Sequence, residues 1–438
     1  MRRALAIALG LAAVATLTAA GRFERFTSRS PQGRSDRGLM EQTAAYVYAY
    51  FEFAPLDGAG MGVACAGTVP TGAKGEVMTF TRASTATCLK GSTTSVANGD
   101  MVTLASGQPR IGPGGDGSGA LKYLVESGRT NIALRSQELN NGAWLLSNSG
   151  ASNPVVTADQ AVAPDGTTTA ERIDYPAVSG AGKFSVVSQG IAGSVAAYSG
   201  SLWVRGVSSS GTIYIMSTPN GVTFLRGTCS YYPGAWTPCS YTGTEDPSTW
   251  YLQIGVDRRD ASQSDQPAQS VYVWRVQHEL GPYPSSYIAT AGSSASRAAD
   301  QLTGGSSAGL GSTGCASATI IPEWTDPSGP AESIVSGGSA GRYLYTRALT
   351  SSLTMYDGAT VIGLNGGFSA GSPKRVASNW TASTQTIQNV TDATSATGAF
   401  GGTMATGTLE IGYSSWGTTG LGAWIGNIKL DPTTTGCQ

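Results

Sequence analysis

The stretch SVYVWRVQHELGPYPSSYIATAGSSASRAAD, residues 270–300, decides how this chain folds. Ser270 to Leu280 is dense in β-branched and aromatic residues and stops at a Gly-Pro step, the pattern of a strand. Alternation along a strand places Tyr272, Trp274, Val276 and His278 on one face and Val271, Val273, Arg275 and Gln277 on the other. Neither face is purely polar, so one belongs inside a sandwich and the other under a loop or a subunit contact. His278 is the one histidine in 438 residues. At a strand end it reads as a packed or surface residue rather than a catalytic base. Arg297 and Asp300, in the closing Arg-Ala-Ala-Asp, read as an ion pair that locks the end of the domain.

The rest of the chain has the same texture. Stretches such as KFSVVSQGI, GSLWVRGV, GTIYIMST and WYLQIGVD are short, apolar and punctuated by Gly, Pro, Asn and Ser. Charged residues make up 13% of the chain, against about 25% in typical soluble proteins. Hydrophobic residues reach 40% and Gly numbers 60, so the chain is neither disordered nor helical in composition. The fold class expected is all-β: two tandem β-sandwiches of jelly-roll type. Their boundaries are read at 61–303 and 315–438, joined by a Gly/Ser linker at 304–314. A net charge of −1 supplies no field for nucleic acid, and no nucleic-acid partner is expected.

The N-terminus carries Arg2 and Arg3, an apolar run from Ala4 to Leu17, and Thr18-Ala19-Ala20. Residues 1–20 read as a signal peptide, with an uncleaved membrane anchor as the alternative. Residues 21–60 form a basic and aromatic arm. Six cysteines fit export. They admit many connectivities, and the pairing expected is Cys65 with Cys88, Cys229 with Cys239, and Cys315 with Cys437. Cys229 and Cys239 flank a Pro-Gly turn, and Cys315 and Cys437 bracket the C-terminal sandwich. With one histidine and no Cys-x-x-Cys, a metal site is not expected. Calcium at Asp357 or Asp392 is the remote exception considered.

Four stretches occur in a suggestive order: FTRASTAT (80–87), YLVESGRTNIALRSQELNNGAW (123–144), APDGTTTAERI (163–173) and WRVQHELGPYPSSYIATAGSSASRAAD (274–300). Together they resemble a widespread family of bacteriophage structural proteins, often tail-fibre or head-fibre proteins. In that family a strand ending in Glu-Gly-x-Arg-Thr-Asn leads into a jelly roll of carbohydrate-binding-module type. Here Ser127 interrupts the Glu-Gly pair, and Ser296 stands before Arg297 where the family has Thr. The segments 374–393 and 409–431 are similar to concanavalin-like and laminin-G-like sandwiches. The resemblance implies adhesion or receptor binding, a virion-surface or exported location, other virion or surface subunits as partners, and a homotrimer.

Chemistry is sparse. Gly337-Gly338-Ser339-Ala340-Gly341 matches a nucleophile elbow, but that device needs a strand-to-helix turn in an α/β sheet. A glycosidase needs paired carboxylates, whereas Glu323, Asp326, Glu332, Asp357, Asp392, Glu410 and Asp431 are scattered singly. Binding is better supported, because aromatic faces stack on the C–H face of sugars. The candidate carbohydrate contacts are Trp236 with Tyr231 and Tyr232 in the first sandwich, and Tyr356 and Trp416 in the second. The expected function is non-enzymatic: a phage-type virion or cell-surface protein that binds a surface polysaccharide. A secreted glycan-cleaving enzyme and a purely structural decoration or fibre subunit are the alternatives.

Overall fold

The computed structural model describes most of residues 78–437. The stretches 90–96, 98–99, 113–121, 247–248, 306–309, 324–332, 338–341, 348–351, 402–403, 405–406 and 414–420, and the single residues 193, 195 and 261, are excepted. Before residue 78 only the strands Ala49–Phe51, Ala54–Pro55 and Gly67–Thr68 are described. The segment expected to be a signal peptide, most of residues 21–60, Cys65, Trp416 and the core of the Gly-x-Ser-x-Gly stretch lie outside the described residues. Every regular element among those described is a β-strand, as the period-2 patterning requires.

Two sandwiches enclose two apolar cores. In the first, a five-stranded sheet orders Leu145–Ser149, Phe184–Ala192, Thr249–Asp257, Gly211–Thr218 and Leu225–Tyr231. It faces a larger sheet built from Val155–Ala161, Ala170–Tyr175, Gln269–Leu280, Ala196–Gly206 and Thr237–Glu245. Val187, Ile215, Leu252 and Ile254 from one sheet meet Ile173, Leu202, Val204 and Val273 from the other. Burial of these alternating side chains supplies the main driving force of the sandwich.

The second sandwich takes strands from both ends of the described chain. One sheet contains Gly314–Pro322 and Ala423–Asp431, and continues through Lys122–Val125 to Arg110–Gly112. The other contains Ser333–Ser336 and Leu409–Ile411, and continues through Gln301–Gly304 to Met78–Thr81. Phe80, Ile111, Tyr123, Val125 and Leu302 therefore share a core with Ile320, Leu353, Trp380 and Ile425. The sequence reading assigns 78–125 and 301–303 to the first sandwich, whereas pairing places their strands in the second. The first sandwich is thus an insertion, leaving the second after Val125 and returning before Gln301. Sequence adjacency suggested otherwise because neighbouring strands usually pair with each other.

The strand Gln269–Leu280 corrects the face assignment. Between Ser201↔Gln277 and Trp203↔Trp274 it spends one residue more than its partner, a β-bulge. Arg275 occupies it with φ of 57°. The extra residue moves Val276 to the core face beside Val271 and Val273, and leaves Trp274 packed with Trp236 and Met101 in a separate cluster on the outside of the sheet. Cys229–Cys239 and Cys315–Cys437 are disulfides. Cys88 is also disulfide-bonded.

Candidate functional site

The entry and exit of the inserted sandwich are held by buried charge. Arg129–Asn131 pairs antiparallel with Ala295–Arg297. Gly128 passes so close that a Cβ would sit 3.3 Å from the Ala299 N and the Arg297 O, which explains a glycine here. Just outside this pair, Arg110 binds both Glu126 and Asp300. Arg82 donates to Asp300 at 3.1 Å, and Arg297 stands 3.4 Å from Glu126. The backbones reciprocate: Glu126 N donates to the Asp300 carboxylate at 2.9 Å, and Asp300 N to the Glu126 carbonyl at 3.0 Å. The expected Arg297–Asp300 pair is present only at 4.0 Å. Both residues belong to a larger network whose centre is Arg110.

Burial would raise the Glu126 carboxyl, but Arg110 and Arg297 outweigh it and hold it well below the carboxylate range. Glu323, beside Glu126, is pushed up to about 8 by burial and then by the Glu126 charge. Three guanidiniums thus face the carboxylates of Glu126 and Asp300.

Next to this network lies a cleft of about 290 Å³. One wall is the hairpin of Ala86–Leu89 and Met101–Leu104, which is tied to the inserted sandwich through Met101 N and the Pro164 carbonyl at 2.9 Å. The other wall is the bulge at Arg275 with the chain at 287–289 and 295–297. Ser84, Thr85, Thr87, Thr103 and Ser296 contribute hydroxyls and Gln137 an amide. Arg275 is 5% exposed, with its guanidinium 3.8 Å from the Trp274 ring centroid and 4.5 Å from that of Tyr287. Asp165 accepts from its Nη2 at 3.0 Å, and its Nε has no acceptor. Burial, partly countered by Asp165, lowers Arg275 to about 10. Burial also raises the Tyr287 phenol to about 12. A left-handed, non-glycine backbone costs about 1 kcal/mol and persists where its surroundings over-determine it. Here the rings on either side and Asp165 do so.

The residues singled out from sequence fare differently. Trp236 is 0% exposed, packed near Trp274 with Arg205 over its ring at 4.7 Å, so it offers no face to a sugar. Tyr231 is 1% exposed and donates to Gln269 at 2.6 Å; it too belongs to the core. Tyr232, 55% exposed, stays accessible. Tyr356 donates to the Gly358 carbonyl at 2.6 Å, within its own turn. Asp357 accepts from the backbone of Ala359, Thr360 and Gly401, and Asp392 binds Lys374 at 2.6 Å. Both carboxylates thus serve turns and an ion pair. Among the described residues no group of three or more His, Cys, Asp and Glu could hold a metal.

His278 is wholly buried. Its Nδ1 lies 2.8 Å from the Tyr241 hydroxyl and its Nε2 3.3 Å from Glu245, with Tyr198 stacked on the ring at 5.2 Å. Ser217 donates to the same Glu245 oxygen at 2.8 Å. Serine and histidine share a carboxylate, whereas a nucleophile must contact its base. Sequence reasoning missed Arg275 and the hydroxyls around it, because they come from five separate segments.

Fold and site together define a two-sandwich β protein with a polar cleft at the root of its inserted domain. A scan of protein-family models finds no match, and a search of curated proteins finds none. Among solved structures the chain is similar to the enzymatically active domain of tailspike protein 4 of bacteriophage CBA120, at 12% identity and a TM-score of 0.25. That likeness covers 34% of this chain and 21% of the tailspike domain, about a fifth of its length. It is also similar to the tandem CBM22 domains of Paenibacillus barcinonensis Xyn10C, at 12% identity and 0.25, over 69% of this chain and 97% of that one. For mouse laminin alpha1 LG4-5 the values are 12% and 0.22, over 58% and 91%.

Proposed function

We propose that this chain is a non-enzymatic surface protein, of the phage-fibre type its motifs resemble, that binds a glycan in the cleft beside Arg275. The supporting observation is the composition of that cleft. Hydroxyl and amide side chains surround an oriented guanidinium between two rings, a set suited to sugar hydroxyls. Asp165 is the one carboxylate lining it, where glycoside hydrolysis needs two. Disulfides are consistent with an exported or virion-surface setting. The test is retention of the purified chain on immobilised polysaccharides, with reducing ends assayed in the same tubes. Retention without release is expected. Release of reducing ends would replace this reading with the glycan-cleaving enzyme.

A structural-subunit reading has its own support. Leu145, Leu146 and Val155 are 62%, 41% and 59% exposed, on strands at the edges of the two facing sheets. Light scattering across a concentration series tests it: self-association that Leu145→Lys abolishes favours assembly through this flank.

A further inference from the structure

Resting on the glycan reading, the charge around the cleft specifies the sugar further. We propose that the cleft takes a carboxylate-bearing sugar, such as a uronic acid unit, with its acid group received by Arg275 and Arg297 and its hydroxyls by the surrounding serines and threonines. Arg275 and Arg297 both line the cleft, and both are at least nine-tenths buried. Asp165 takes one Nη2 hydrogen bond of Arg275; its Nη1 contact is the thioether of Met101, a weak acceptor. Donor capacity is therefore left over. A guanidinium fixed between Trp274 and Tyr287 has already lost its rotamer freedom, so little more is lost on binding.

Charge balance points the same way. Asp165 offsets Arg275. Behind them, Arg297 belongs to the network in which three guanidiniums face Glu126 and Asp300. Of the side chains lining the cleft, Arg275 and Arg297 are cationic and Asp165 is the one acid, which leaves an excess of positive charge beside polar groups that are otherwise neutral. Such a place disfavours a second cation and favours an anion, and the low local dielectric strengthens that preference. A neutral sugar would leave the excess charge unanswered.

The experiment is titration of the full chain with matched pairs of oligosaccharides: galacturonate against galactose oligomers, and mannuronate against mannose oligomers. The acidic member is expected to bind roughly tenfold tighter or more, the weight of one hydrogen bond to a charged group. Arg275→Gln should erase that difference. Because Arg275 also packs, Ser296→Asp provides a second variant at an exposed position on the cleft rim; it should weaken the acidic ligand more than the neutral one. Equal or tighter binding of the neutral sugars overturns the carboxylate assignment and leaves the glycan reading standing. Acidic binding that survives both variants also overturns it. No binding of either member of any pair overturns both.

Discussion

Asp300→Ala is the perturbation from which the structure yields the largest effect. Asp300 is 0% exposed and accepts from Arg82, from Arg110 and from the backbone N of Glu126. Its removal leaves Arg82 without a carboxylate and Arg110 and Arg297 with Glu126 alone, and orphans one backbone donor. Breaking a buried pair from one side costs about 3–5 kcal/mol, and an unsatisfied buried N–H about 1–3 kcal/mol. The terms overlap in one network, so a loss of about 4 kcal/mol is the working figure. Against a total of roughly 5–15 kcal/mol, that is a large fraction. Urea denaturation followed by tryptophan fluorescence reads it, because Trp274 reports the inserted sandwich and Trp380 the other. Both sandwiches should lose stability, since the network sits where one leaves the other. Arg110→Met added to Asp300→Ala should recover part of the loss, with a coupling above about 1 kcal/mol. A loss below about 1 kcal/mol, or a loss confined to one sandwich, would refute the clamp.

Glu323 gives a pH dependence of defined sign. Its folded value of about 8 lies above that of an unfolded glutamate, through burial and the Glu126 charge, with Arg110 and Arg297 opposing. Stability should therefore fall as pH rises from about 4.5 to 8 through this group, and Glu323→Gln should flatten that part of the curve in a pH series of thermal melts. Glu126 acts in the opposite sense: its lowered value contributes stability at neutral pH that is lost as the carboxyl protonates in acid. Removing Cys315–Cys437, which spans 122 residues, should cost about 5 kcal/mol by loop entropy, and Cys229–Cys239, which spans 10, about 3 kcal/mol, both measured by denaturation. Trp236→Ala should destabilise by about 3–5 kcal/mol in the same assay; in a variant still folded, unchanged glycan retention would agree with its burial.

Much of the architecture was legible because strand patterning is local. The period-2 runs and Gly/Pro punctuation announce an all-β chain, and the Pro-Gly turn between Cys229 and Cys239 marks two strands joined across a tight loop. What was not legible is non-local. The strands Lys122–Val125 and Gln301–Gly304 read like neighbours of the inserted sandwich, and nothing within them says that their partners lie at 423–425 and 409–411. The signal lay in the charged residues at their ends: Glu126 follows the first and Asp300 precedes the second, and buried acids there need arginines. The bulge at Arg275 was hidden for a different reason. One extra residue reverses every later side chain, and valine, tryptophan and arginine in alternation fit either phase. Trp236 shows the limit of composition, since an aromatic turn looks the same in sequence whether it faces solvent or caps a core.

The central claim is that the cleft beside Arg275 holds the glycan. It is tested most directly by measuring the affinity of a retained oligosaccharide for the full chain and for Thr103→Trp, which places an indole on the exposed hairpin wall of the cleft. Affinity reduced at least tenfold, with an unchanged thermal melt, is the expected result. Undiminished affinity with the cleft so filled would place the ligand elsewhere and contradict the claim.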